Sequence, residues 1–124
     1  MKPKIEGKEH MGEKKTVILE CLSNRKKVIK IRFTRKLSSY QSNAYLITAV
    51  KKCLNYGFYK IIIDMENIDS KTSNLTATLI EVTSKIRRKE GDIKLINLSE
   101  NLHDDIAGFN ALTFLLQDLN PGKL

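Results

Sequence analysis

A single α/β domain, with a mixed four- to five-stranded sheet packed against helices, is the fold class that the sequence predicts. Three observations carry it. Residues 28–34 (VIKIRFT) alternate apolar and charged, the period of a half-buried strand. Residues 58–65 (FYKIIIDM) form a continuous apolar run closed by Asp64, as in a central strand covered on both faces, with a parallel neighbour. Between the strands lie segments whose apolar residues recur at helical spacing. The chain has 124 residues and 14.2 kDa, enough for one core. Its 41% hydrophobic and 29% charged residues fit a folded globular domain rather than a disordered chain.

Residues 1–15 (MKPKIEGKEHMGEKK) carry almost no apolar content and read as a flexible tail, leaving 16–124 for the domain. Residues 16–22 (TVILECL) start apolar and β-branched, a first strand. The turn Ser23-Asn24-Arg25-Lys26 joins it in a hairpin to 28–34, with Ile29, Ile31 and Phe33 on one face and Lys30 and Arg32 on the other. Ser38-Ser39 opens a first helix, with Ala44, Ile47, Val50 or Lys51, and Leu54 on its expected inner face. Gly57 suits its C′ position.

After the central strand and a polar loop, a second helix places Leu75, Leu79, Val82 and Ile86 on one face. It ends in Arg87-Arg88-Lys89, cations suited to the negative end of the dipole, with Gly91 as the expected cap. Residues 92–98 (DIKLINL) alternate as another strand, giving a β-α-β unit. Ser99 reads as the N-cap of a third helix with Leu102, Ile106 and Phe109 inward. Residues 111–118 (ALTFLLQD) are either a last strand or a continuation of that helix.

Several chemistries find no support. Cys21 and Cys53 form no CxxC or Cys/His cluster, and read as reduced, partly buried thiols of a cytoplasmic protein. The longest apolar run, around Ile61-Ile62-Ile63, is far short of a membrane span, and no apolar stretch follows the Lys-rich start as a secretory signal would require. No Walker loop, GxGxxG or Ser-His-Asp set is present, and His103-Asp104-Asp105 are adjacent helix positions that do not face one another. The carboxylates Asp64, Glu66 and Asp69 read as loop solvation and capping rather than as a metal or catalytic pair.

The net charge is +8. Seven cations fall between Arg25 and Lys36, and Arg87-Arg88-Lys89 add a second run. Without a recognition helix or RNA-binding motif, these read as a solvated strand face and turn regions rather than a nucleic-acid site. Tyr56, Phe58 and Tyr59 read as packing at the helix-strand corner.

The element order and strand spacing resemble the STAS domain (sulphate transporter and anti-sigma-factor antagonist), and in particular the single-domain bacterial anti-sigma-factor antagonists. VIKIRFTRKL is similar to the family's strand hydrophobic-x-I-x-[LV]-x-G-x-L, with Leu37 at the final Leu. KIIIDMENI is similar to its central strand. Gly91 with DIKLINLSENL is similar to GG-x-hydrophobic-x-hydrophobic-x-x-hydrophobic-S-P-x-V, with Ser99 at the Ser.

The family's motif, Asp-Ser-Ser/Thr-Gly-Leu, carries the phosphoacceptor as its first Ser. In the ungapped register it falls on Thr72-Ser73-Asn74-Leu75-Thr76. Ser73 keeps the hydroxyl, Thr72 stands in place of Asp and Leu75 in place of Gly. A second register, on Ile68-Asp69-Ser70, makes Ser70 the acceptor and needs a helix about one turn longer. From residue chemistry alone, Thr72, Ser73 and Ser70 are caps and turn formers.

The resemblance implies a non-catalytic regulator of transcription. It binds an anti-sigma factor that is also a Ser/Thr kinase and is switched by serine phosphorylation. ATP belongs to that partner, and no cofactor to this chain. The loop 66–74 and the exposed face of the second helix form the expected docking surface, with Asp69, Thr72, Ser73, Asn74 and Thr76 as partner-binding residues. An alternative within the fold is a scaffold or signalling module that binds partners, other STAS proteins among them, without phosphorylation; a second alternative, drawn from the net charge of +8, is a small basic nucleic-acid-binding protein.

Overall fold

The computed structural model describes residues 16–37, 39–68, 74–108 and 115. The tail at 1–15, Phe109 and the alternatives for 111–118, Leu115 apart, lie outside them. The elements run β1 (Val17–Ser23), β2 (Val28–Phe33), α1 (Ser39–Asn55), β3 (Lys60–Asp64), α2 (Asn74–Arg88), β4 (Asp92–Ile96) and α3 (Glu100–Gly108). The sheet is four-stranded and mixed, in the order β1-β2-β3-β4. β1 and β2 are an antiparallel hairpin; β3 is parallel to β2 on one side and to β4 on the other.

Alternation decides which face is buried. Leu19, Ile29, Ile31, Phe33, Ile61, Ile63, Ile93 and Leu95 share the inner face and are buried. Leu46, Val50 and Cys53 of α1, and Leu75, Leu79, Val82 and Ile86 of α2, close over them, with Leu102 and Ile106 of α3 and Leu115. Each such large apolar side chain contributes roughly 1.5–3 kcal/mol by leaving water. At the end of β1 the register shifts between Cys21 and Ser23, a bulge that leaves Leu22 unpaired and exposed.

Three sequence expectations need correcting. In α1 the buried face is Ser42, Leu46, Ala49, Val50 and Cys53, while Ala44, Ile47 and Lys51 are exposed and Leu54 is half-buried. The helix is rotated by about one residue's 100° from the expected phase. Small Ser42 and Ala49 let the helix approach its neighbours closely, and the thiol of Cys53 packs as an apolar group. β3 is not equally covered on both faces. Ile61 and Ile63 are buried, whereas Ile62 is half-buried and lies in register between Lys30 and Lys94, whose aliphatic stems flank it.

The third correction concerns Gly91. Both long helices end in the same hydrogen-bonded cap. After α1, Gly57 (φ 84) donates to Leu54 O and Phe58 N–H to Cys53 O, as expected. After α2 the left-handed residue is Glu90 (φ 63), with Glu90 N–H on Arg87 O and Gly91 N–H on Ile86 O. Gly91 answers a different constraint. A Cβ there would stand 2.0 Å from the carbonyl oxygen of Tyr59, and Asp92 N–H donates to that same oxygen at 2.9 Å. Gly91 is therefore a close-approach glycine that seats β4 beside β3.

Burial sets the chemistry of Cys53. Desolvation pushes its thiol from the ordinary 9.0 up to about 12, outweighing the lowering by Lys52 and by a backbone N–H. The folded thiol stays protonated where an unfolded one ionises. Its contribution to stability is complete below about pH 9 and is lost as pH rises toward about 12. Native protein at about pH 8 should react with iodoacetamide at half-buried Cys21 and not at Cys53 until denaturant is added. Equal labelling of both thiols would contradict this packing. Gly91→Ala should cost about 3 kcal/mol or more in urea unfolding, against about 1–2 kcal/mol for Gly57→Ala, whose Cβ meets nothing within 4 Å and whose cost is the left-handed φ of 84 alone. Equal costs would overturn the close-approach reading.

Candidate functional site

The region of interest lies where β3 and β4 finish and α2 starts. Parallel strands end together, and a helix returning antiparallel to them begins at that same end. Asp64, the last residue of β3, is buried with its carboxylate turned to local use. Its Oδ1 accepts from the Glu66 N–H at 3.0 Å and from Asn97 Nδ2 at 3.0 Å. Lys30 Nζ lies 4.0 Å from Oδ2. Asn97 follows β4 with φ 58, a conformation Asn adopts more readily than most residues, and this turns its amide back to β3. Asp64 therefore fastens the exits of the two strands together.

The chain beyond Asp64 is pinned from the other side. Met65 N–H donates to Ile96 O at 2.9 Å, and Ile68 N–H to Met65 O at 3.2 Å. Asn67 Nδ2 donates to Phe33 O at 2.7 Å, and Asn67 O accepts from Leu37 N–H at 3.1 Å. A parallel bridge pairs Leu37 with Ile68. Residues 65–68 are thus held at both edges, and Met65 and Ile68 are buried.

α2 begins at Asn74 and has no acidic residue in its first turn, so the positive end of its dipole has no carboxylate of its own there. Thr76 is fully buried, and its hydroxyl donates to Asp105 Oδ2 of α3 at 2.8 Å. That corrects the expectation of a partner-facing Thr76: its side chain joins α2 to α3. Ser73, Ser70, Asp69 and Thr72 lie outside the described residues. In sequence Ser73 immediately precedes the first residue of α2, and Ser70 lies four positions before it. Leu75, at the motif's Gly position, is fully buried.

Ser99 caps α3 as expected, its Oγ accepting from Leu102 N–H at 3.1 Å. His103 and Asp104 are exposed, and Asp105 is the member of that trio with a structural partner. Among the described residues no group of three or more His, Cys, Asp or Glu could hold a metal ion. Sequence reasoning missed Asn67, Asn97 and Asp105. Asn97 alone left a signal: an Asn near the end of the run 92–98 read as a strand, which in fact stops at Ile96, and Asn adopts the left-handed conformation more readily than most residues.

No family model matches the chain, and no curated protein matches it. A solved structure that it resembles is the NMR structure of the protein TM1081, with a TM-score of 0.58. The two are 16% identical, over 73% of this chain and 72% of that one. At this identity the likeness shows the fold, an α/β domain with a mixed sheet, and nothing finer. No helix among the described residues is long and apolar enough to cross a membrane.

The Thr76–Asp105 bond should be worth about 1–2 kcal/mol to the attachment of α3. Thr76→Val, which keeps shape and removes the donor, should lower stability by that amount. It should also speed amide exchange in α3 ahead of the sheet. Unchanged exchange in α3 would mean that the bond does not hold the helix.

Proposed function

We propose that this chain is a STAS-like regulatory module that acts by binding another protein, with Ser73 as its switch. The observation that carries the reading is the construction of one end of the molecule. The finish of the central strand is locked by Asp64, Asn67 and Asn97, and beside it α2 has no acidic residue of its own in its first turn, where the Asp105 carboxylate of α3 accepts from the Thr76 hydroxyl. A phosphate one position before Asn74 would meet helix N–H groups and the positive dipole end, so the fold would tolerate it. It would also add about −1.5 to −2 charges to the surface offered to a partner. The ungapped register, which holds the spacing to Gly91, favours Ser73 over Ser70, whose register asks for a helix about one turn longer.

The partner class follows from the resemblance: an anti-sigma factor that is itself a Ser/Thr kinase. The unmodified chain binds it and frees the sigma factor, and phosphorylation releases it. The chain then needs no catalytic group of its own, and ATP is bound by the partner. A second reading, a scaffold without phosphorylation, is favoured by Leu75. Where the family motif has Gly, this chain buries a Leu completely.

Affinity capture from lysate of the source organism, with wild type, Ser73→Ala, Ser73→Asp and Ser70→Asp as baits, separates the two. The switch predicts that an ATP-binding kinase is retained by wild type, Ser73→Ala and Ser70→Asp. Its recovery should fall at least about tenfold on Ser73→Asp, a loss of about 1.4 kcal/mol in binding. Mass spectrometry should find phosphate on Ser73. Equal recovery on all four baits, with no phosphate, would leave the scaffold.

A further inference from the structure

The opposite end of the domain, where β2, β3 and β4 begin, gathers basic residues that are far apart in sequence. Register places Ser23 beside Val28, Val28 beside Lys60, and Lys60 beside Asp92. The β1–β2 turn contributes Arg25, Lys26 and Lys27, the last turn of α1 contributes Lys52, and the end of α2 contributes Arg87, Arg88 and Lys89. With Lys60 that is eight cations, against two carboxylates, Glu90 and Asp92. Contacts tie these segments into one surface. Lys27 Nζ lies 5.3 Å from the centroid of the Phe58 ring, Asp92 N–H bonds Tyr59 O, and Arg87 Nε bonds Asp92 Oδ1 at 3.2 Å. The far end instead mixes Arg35 and Lys36 with the carboxylates of Asp64, Glu66, Glu100, Asp104 and Asp105.

The same end carries exposed rings. Of the corner aromatics, Phe58 is fully buried and packs as expected, but Tyr56 is 51% and Tyr59 36% exposed. Helix-end cations alone would serve the dipoles of α1 and α2. Two uncovered tyrosines among them are not explained that way, because dipole compensation needs no rings. Basic groups interleaved with exposed aromatic faces are what a single strand of nucleic acid requires: cations for phosphates, and rings on which bases of any identity stack. A duplex hides its base faces, and the carboxylates of an acidic peptide offer no aromatic face to the rings. We propose that this end of the domain binds single-stranded RNA or DNA, with the turn and α2-end cations on the phosphates and Tyr56 and Tyr59 stacked on bases. The site lies at the other end of α2 from Asn74, so it stands or falls separately from the Ser73 switch.

The test is fluorescence anisotropy of the full chain with a labelled oligouridine of about a dozen nucleotides, the RNA and DNA forms being compared, over a range of salt. Contact with about four phosphates gives a slope of log K against log salt near −3. Arg25→Gln with Lys26→Gln should flatten that slope by about 1.4. Tyr56→Ala should weaken binding roughly 5- to 100-fold and leave the slope unchanged, the signature of lost stacking. Circular dichroism melting of the variants should match wild type, since these side chains are exposed. The proposal is overturned by no binding at low salt, by a Tyr56→Ala affinity equal to wild type, or by equal displacement of the probe by polyglutamate of matched charge. Binding to phosphatidylglycerol vesicles without binding to either oligonucleotide would assign the surface to a membrane instead, and would equally overturn it.

Discussion

The parallel pairing of β3 with both β2 and β4 is the constraint on which the rest of the molecule depends. Strands that run the same way must be joined by returning connections, here α1 and α2. Both helices therefore start at the end where the strands finish, and finish where the strands start. The positive dipole ends gather at one end of the sheet and the negative ends at the other. The proposed switch and the basic surface are both consequences of this polarity.

Each end is then completed by local chemistry. At the strand finish, two left-behind polar needs are met together: the N–H of Glu66 and the amide of Asn97 share one oxygen of the buried Asp64. A buried carboxylate left without such donors would be costly, so its retention marks a loop that must hold its shape. At the strand start, β4 is set against β3 by a contact between backbones, Gly91 on the Tyr59 carbonyl. Cations at the ends of α1 and α2 then complement the negative helix ends and leave a strongly basic surface.

What could be read from the residues follows the same division. The inner face of α2 was legible because Leu75, Leu79, Val82 and Ile86 are all large and apolar on one stripe, and all are buried. β2 was legible because Lys30 and Arg32 separate its buried residues. α1 misled because its buried face is partly made of Ser42, Ala49 and Cys53, which carry little hydropathic signal, while Ile47 faces out. Gly91 looked like a cap because the contact it serves, Tyr59, is distant in sequence. Thr76 was assigned to the surface because its partner, Asp105, belongs to another helix. Pattern reveals the buried face where large apolar residues make it up. It does not reveal pairing between polar groups far apart along the chain.

The polarity of the sheet has a direct consequence for a charge added at Ser73: its effect should stay at its own end. The measurement that tests this is a comparison of amide 1H–15N chemical shifts between wild type and Ser73→Asp. Shifts are expected in residues 64–68, 75–79 and 97–105, with residues 24–27, 56–60 and 87–92 unmoved and the spectrum still well dispersed. Shifts spreading through the sheet to the basic end, or a collapse of dispersion, would contradict this confinement.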